Sequence, residues 1–240
     1  MSKAVDFSAT VVGQVGARCA KAGLDLYQPL EVAQYNRAVA ETYRLPTWGR
    51  GSTLAILIGN SRALWPHLVE ALRTDRDLRA SEHPVDDYCD RVVRSAQEAI
   101  ARPSRAFPAH WRGQRMVAMQ RLAEISGLAA LSSCHLSVHR QFGPWIALRA
   151  VIVVDCDGPG EVRPIRQPCV CDEHCTPAFQ RALAAASAES DQVDLDKHWR
   201  LWVSVRDACP IGRAHRYDDE QIRYHYTKDR ERLLRLYPAR

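Results

Sequence analysis

Arginine is the residue type that gives this sequence most of its capacity for binding chemistry. Of the 33 basic residues 29 are arginines, and the four lysines are Lys3, Lys21, Lys197 and Lys228. A guanidinium holds carboxylates and phosphates in a planar fork, whereas a lysine ammonium acts as a point charge. Because genomes rich in G and C favour arginine codons, we interpret most of the excess as codon usage. Individual arginines remain candidates for binding anionic groups.

The densest group of soft metal ligands lies at 169–175, where Cys169, Cys171, His174 and Cys175 follow closely. Three thiolates and an imidazole could hold zinc or copper. The spacing is irregular, however, and the adjacent His174 and Cys175 do not easily reach one ion. We therefore predict no metal site and interpret these as loop thiols near a helix start, with a metal site as the alternative. Proximity to a helix N-terminus predicts a lowered pKa for Cys175.

The composition is that of an ordinary globular protein. The 240 residues are 46% hydrophobic and 25% charged, with a formal net charge of +5, which excludes disordered, collagenous and coiled-coil classes. Charges of both signs are interspersed, so we expect no nucleic-acid partner. We see no secretory signal, and the longest apolar stretch is too short to span a bilayer. We expect a cytoplasmic monomer or homodimer, not membrane-bound, whose eight cysteines are reduced.

The hydrophobic pattern predicts an α+β fold in a single domain spanning 1–240. Predicted helices cover 9–22, 61–76, 84–100, 114–131, a segment starting at Thr176, and 218–236. Predicted strands cover 54–58, 134–139 and 145–155. We interpret 27–42 as partly helical, 101–111 and 155–167 as loops, and 199–205 as a strand or a helix.

The last two predicted strands are separated by the turn-forming segment 141–144, which predicts an antiparallel hairpin. Even spacing would place His135 and His139 on one face of its first strand. His139 is therefore a candidate ligand-contacting residue, with a packed histidine as the alternative. Nucleotide-binding glycine motifs and the H-E-x-x-H and G-x-S-x-G hydrolase motifs are absent from the sequence.

Several blocks together resemble a known family, the CblC family of cyanocobalamin reductases and alkylcobalamin dealkylases. One block runs from Tyr27 to Leu54 and includes Tyr35-Asn36 and Leu45-Pro46. The more specific blocks, in chain order, are HRQFGPWIALR at 139–149, HWRLW at 198–202, RDACP at 206–210, RYDDEQ at 216–221 and Arg232-Leu233. The resemblance extends over most of the chain.

This resemblance implies a nitroreductase-like fold, an antiparallel sheet packed by helices. It also implies a protein that binds cobalamin base-off and removes its upper axial ligand. Glutathione would be the co-substrate for dealkylation, and a reduced flavin, FMN or FAD, would support decyanation. A flavin reductase or a cobalamin-trafficking protein is the implied partner. The alternatives are a non-catalytic cobalamin carrier and a flavin oxidoreductase that acts on another substrate.

The resemblance also implies roles for particular residues. Arg149, Arg206 and Arg232 would position glutathione, whose two carboxylates suit guanidinium forks; a structural ion pair is the alternative for each. The implied cobalamin or flavin contacts are Val117, Ala118, Met119, Gln120, Leu131, Ser132, Ser133, Ser137 and Leu148, to which we add His139 as the candidate named above; core packing is the alternative for Val117, Met119 and Leu148. The sequence departs from the family in a shorter segment before His139, in Glu124 where the family has a histidine, and in Ser137 where it has a cysteine.

Overall fold

The strongest apolar runs of the sequence form the two central strands of an antiparallel sheet. The computed structural model describes residues 7–111, 116–161, 173–187 and 198–240. Its strands are β1 Leu26–Glu31, β2 Leu54–Asn60, β3 Ser104–Pro108, β4 Ala130–Leu131, β5 Ser137–Val138 and β6 Ala147–Val154. The main sheet has the order β1-β2-β6-β3 with every neighbouring pair antiparallel, and β4 and β5 form a separate two-stranded sheet.

Helices cover both faces of the main sheet. They are α1 Phe7–Lys21, α2 Val32–Arg37, α3 Leu64–Thr74, α4 Arg76–Ala80, α5 Pro84–Glu98, α6 Met119–Ile125, α7 Cys175–Ser187, α8 Trp199–Ala208, α9 Asp219–Thr227 and α10 Arg230–Leu236. None of the helices in the described part of the chain is long and apolar enough to cross a membrane. The predicted α+β class, an antiparallel sheet packed by helices, is confirmed.

The alternation of side chains along β2 explains why both faces of the sheet are buried. Leu54, Ile56 and Ile58 pack into the core formed with α1, α3 and α5, whereas Ala55 and Leu57 pack into the core formed with α2 and α6. Successive side chains of a strand point to opposite faces. A strand that is covered on both sides therefore needs a continuous apolar run, as β2 has.

The two edge strands were not predicted, and proline explains why. The segment 101–111 was predicted as a loop, yet it contains β3, and the start of 27–42 forms β1 before α2 begins. Pro29 lies in β1 and Pro108 ends β3. Proline lacks the amide hydrogen that an inner strand donates, so it is tolerated only at sheet edges and similar positions. In a sequence, however, a proline indicates the end of a strand.

The predicted hairpin of 134–139 with 145–155 is wrong. Both edges of β6 are occupied, by β2 and by β3, so no edge is left for the preceding segment. That segment contributes only β5, which pairs back onto β4. A single bridge between His139 and Gly143 remains of the turn.

The helices follow the predictions with shifted limits. The predicted helix 61–76 corresponds to α3, and the short helix α4 follows it. The described part of 114–131 is helical only as α6. The predicted helix 218–236 is two helices, because Lys228 takes a left-handed conformation (φ 52°) at the end of α9. The segment from Trp199 onward is helical, as α8.

Candidate functional site

A β-bulge in β6 aims Arg149 away from the face that simple alternation predicts. Ala150 pairs with Ile58 and Leu148 pairs with the next residue, Gly59, so Arg149 is the extra residue in the ladder. Leu148 consequently packs with the core on the α6 face. Arg149 lies near Asp86 of α5, on the opposite face. Bulges commonly re-aim one side chain in this way.

The guanidinium of Arg149 is buried and only partly satisfied. Its Nε donates to Oδ1 of the fully buried Asn60 at 2.7 Å. Its Nη1 lies 3.8 Å from a carboxylate oxygen of Asp86, beyond hydrogen-bond distance. Its Nη2 is buried and has no hydrogen-bond partner, and the side chain as a whole is only 11% exposed. A buried charged donor without an acceptor is costly unless a ligand supplies one.

Arg206 reaches the same place from the last turn of α8. Its Nε donates to the Tyr226 hydroxyl at 3.1 Å, and its Nη1 donates to the carbonyl of Pro144. The guanidinium carbon lies 6.0 Å from the centre of the Trp145 ring. These partners are uncharged, and within the described residues no carboxylate lies within 4.0 Å of Arg206. Its positive charge therefore lacks a close anionic partner.

The two arginines line one cavity of about 180 Å³, which we call the arginine cavity. Its other lining residues are Trp145, Ile146, Ala147, Tyr217, Ile222, His225 and Tyr226. A neighbouring groove of about 300 Å³, which we call the apolar groove, shares Ile146, Ala147 and Arg206 with it. The groove is further lined by Met119, Gln120, His135, Leu136, Ser137 and Leu148.

A close backbone approach holds the loop that carries Pro144 and Trp145. Gly143 has φ 57°, and a Cβ there would come within 1.9 Å of the Ile211 carbonyl oxygen. Gly212 has φ 76° and approaches Phe142 from the other side. Only glycine fits such contacts and adopts positive φ without strain. These glycines fix the loop that provides the carbonyl partner of Arg206.

His225 and Tyr217 belong to the site but were not identified from the sequence as contributors. Burial, together with the nearby charges of Arg149, Lys228 and Arg206, lowers the pKa of His225 well below its usual value. Burial raises the pKa of Tyr217 to about 12, so both rings are neutral near pH 7. Tyr217 stands in one of the blocks quoted above, whereas His225 lies outside them and carries no sequence signal.

Of the ten predicted cobalamin or flavin contacts, four line the apolar groove: Met119, Gln120, Ser137 and Leu148. The Gln120 amide is used to bind the His135 carbonyl at 2.7 Å. The Ser137 hydroxyl oxygen is buried and has no hydrogen-bond partner. The groove thus offers an apolar surface with one unsatisfied polar atom.

The other six predicted contacts line neither the cavity nor the groove: Val117, Ala118, Leu131, Ser132, Ser133 and His139. The first two pack beside the core on the α6 face. Ser132 Oγ accepts from the Leu136 amide at 3.1 Å, so it shapes a turn. His139 Nδ1 accepts from two loop amides, and burial lowers its pKa.

Arg232 is not brought to the arginine cavity. It lies on α10, and its Nε and Nη2 bind both carboxylate oxygens of Glu220 at 2.9 and 2.7 Å. This bidentate pair lowers the pKa of Glu220 and occupies the fork that the prediction gave to glutathione.

Only part of the cysteine cluster at 169–175 lies in the described residues, and the predicted pKa of Cys175 differs from the observed direction. Cys169 and Cys171 lie outside the described residues, and Cys175 begins α7 as a buried thiol. Its pKa is raised to about 12 by burial and by Cys209 and Cys134, so the predicted lowering is wrong. Desolvation of the thiolate outweighs the helix terminus here. Over the ranges that the structure describes, no group of three cysteine, histidine or acidic residues is arranged to hold a metal ion.

The fold and the site together describe an α+β protein whose antiparallel sheet carries an arginine-lined cavity beside an apolar groove. No family model matches the sequence. Curated relatives do match: the human cyanocobalamin reductase / alkylcobalamin dealkylase is 28% identical over 235 residues, covering 89% of this chain and 76% of the relative. The bovine protein of the same name is 24% identical over 236 residues, covering 89% and 77%.

The solved structures agree on the fold. A Caenorhabditis elegans CblC protein, described as B12-trafficking, superposes with a TM-score of 0.71 at 16% identity, covering 98% of this chain and 97% of that one. A Bacillus subtilis epoxyqueuosine reductase superposes with a TM-score of 0.53 at 11% identity, covering 88% and 67%. The nitroreductase-like fold class is confirmed. Over most of its length the chain is therefore similar to the cyanocobalamin reductases / alkylcobalamin dealkylases in sequence and to the CblC structure in fold.

Proposed function

We propose that this protein is a cobalamin-processing enzyme that binds base-off cobalamin and removes its upper axial ligand. The observation that carries the proposal is the arginine cavity, because it places the partly unsatisfied guanidinium of Arg149 and that of Arg206, whose hydrogen-bond partners are neutral, next to an apolar groove. The human and bovine relatives, whose alignments cover 89% of this chain, are named for that chemistry. The groove suits the face of a large planar ring, since its floor of Met119, Ile146 and Leu148 is apolar.

For alkylcobalamins, the proposed reaction is a transfer of the alkyl group to glutathione. The thiolate sulfur attacks the cobalt-bound carbon, a carbon–sulfur bond forms, and the electron pair of the cobalt–carbon bond leaves with cobalt as cob(I)alamin. Arg149 and Arg206 would hold a carboxylate of glutathione at the end of the groove. Fixing the nucleophile near the carbon converts an encounter into an oriented reaction, which is a large part of the rate advantage.

For cyanocobalamin, the proposed co-substrate is a reduced flavin, which supplies one electron to cobalt while cyanide leaves. The same apolar groove is the surface against which an isoalloxazine ring would pack. The Ser137 hydroxyl, buried and without a partner, is the polar group available to a ligand there. The arginines have no direct task in this reaction, which makes the two activities separable by mutation.

The decisive experiment is a visible spectrum of one equivalent of methylcobalamin on mixing with the protein. Base-off binding shifts the absorption, and anaerobic addition of glutathione then yields cob(I)alamin and S-methylglutathione. Absence of any shift at protein excess would overturn the proposal. A shift without product, with glutathione and with reduced flavin, would instead identify a carrier.

A further inference from the structure

His225 contributes an imidazole to the arginine cavity from α9. The charged and titratable groups around it come from several elements: Arg149 on β6, Arg206 on α8, Lys228 after α9, and the rings of Tyr217 and Tyr224. The three charged groups are all cationic. Within the described residues the carboxylates near this set are Asp86, at 3.8 Å from Arg149, and Asp25, which acts on Tyr217, whereas the charges that act on His225 itself are cationic.

A neighbouring amide gives one ring nitrogen of His225 a hydrogen-bond partner. Nε2 of His225 lies 3.5 Å from Nε2 of Gln221, and Gln221 is fully buried with its Oε1 lacking a partner. The amide nitrogen and oxygen of a glutamine are assigned by their hydrogen bonds. Turning this amide by 180° directs Oε1 at the imidazole, where it accepts a hydrogen bond when the ring nitrogen is protonated. A protonated imidazole has two N–H donors, of which one then serves Gln221 and the other is available to a ligand.

We propose that His225 is a third anion-binding residue of the arginine cavity and that it binds a glutathione carboxylate in its protonated form. One carboxylate then enters the cavity together with one proton. The inference rests on the proposed function, because it takes glutathione as the source of the carboxylate. Without a bound anion the imidazole stays neutral, because burial disfavours the charged ring and because Arg149, Lys228 and Arg206 repel the added charge. A bound carboxylate adds an opposite charge beside the ring and so favours its protonated form.

The sign of the pH dependence follows from linkage. Binding raises the proton affinity of His225, so binding takes up a proton and strengthens as the pH falls toward 6. A single linked proton changes the affinity by at most about tenfold per pH unit. The glutathione thiol also loses its proton above neutral pH, so the probe must lack a free thiol. S-methylglutathione keeps both carboxylates and meets that requirement.

The test is calorimetric titration of the full chain with S-methylglutathione at pH 6.5 and 8, in pairs of buffers that differ in ionisation enthalpy. We expect wild type to take up a measurable fraction of a proton at pH 6.5 and to bind more weakly at pH 8. His225→Phe should take up none and lose most of the pH dependence. His67→Gln, which changes an exposed histidine on α3, should behave like wild type.

Absence of proton uptake in wild type, or uptake retained by His225→Phe, would overturn the proposal. If His225→Phe does not fold, judged by thermal denaturation, His225→Gln takes its place in the same comparison. No binding of S-methylglutathione at either pH also overturns it. That result is distinguishable from failure of the proposed function, because the methylcobalamin shift does not depend on glutathione.

Discussion

Arg149 and Arg206 on one side, and Arg232 on the other, show how differently the same side chain can be used. All three were predicted to position glutathione. The first two meet in one cavity where their partners are mainly neutral and one Nη2 has none. Arg232 donates hydrogen bonds to both carboxylate oxygens of Glu220. An arginine whose N–H donors already bind a carboxylate of its own chain has no donors available to a ligand. An arginine with unused N–H donors can bind one.

The largest effect should come from the two cavity arginines. Arg149→Ala and Arg206→Ala should each lower kcat/KM for glutathione-dependent demethylation by about 10- to 100-fold, because a hydrogen bond to a charged group contributes about 1.5–3 kcal/mol. Flavin-dependent decyanation should retain most of its rate. Equal losses in both assays would mean that these arginines hold the fold instead.

The loop that positions Arg206 should be nearly as sensitive. Gly143→Ala should lower the free energy of unfolding by about 2 kcal/mol or more, since alanine is strained at positive φ and the new Cβ meets the Ile211 carbonyl. Gly49→Ala is the matched control, because Gly49 also has positive φ but nothing within 4 Å. Urea denaturation measures both. Identical losses would show that the approach to Ile211 contributes nothing.

Acid should destabilise the cavity side of the molecule. The folded state holds His225 and His139 with pKa values below the usual 6.5, so the unfolded chain binds more protons just below that pH. Stability is therefore full above about pH 6.5 and is lost as the pH falls toward the folded-state values. The urea midpoint should drop between pH 7.5 and 5.5, and it should drop less in His225→Phe. Parallel curves for the two proteins would contradict this assignment.

The smallest effect should come from Arg232. Its pair with Glu220 is about one-third exposed on both sides, and exposed ion pairs contribute little and are screened by salt. Arg232→Ala should lower the thermal midpoint slightly, with less effect in high salt, and leave glutathione-dependent turnover near the wild-type rate. A loss of turnover as large as that of Arg206→Ala would erase the distinction between the two regions and restore the original prediction for Arg232.

The central strands could be predicted because burial on both faces demands the continuous apolar runs that the sequence displays. The edge strands could not, since Pro29 and Pro108 suggest breaks in any local interpretation. The cavity was predictable only in part. The motif blocks singled out Arg149 and Arg206, and Arg149 also lies within the apolar strand predicted at 145–155. His225 follows no motif and is identified only when α9 and β6 line the same cavity.

The sequence by itself determined the composition of the site: an arginine in an apolar strand, a second in a motif block, and a family pattern linking them. It also determined the buried central strands, because hydrophobic burial is encoded locally. Only the tertiary structure decided which arginines are free to bind. The bulge at Arg149 reverses the face that alternation assigns, and the distant Glu220 satisfies Arg232. Both outcomes depend on pairings between segments far apart in the chain, which residue types and spacings do not specify.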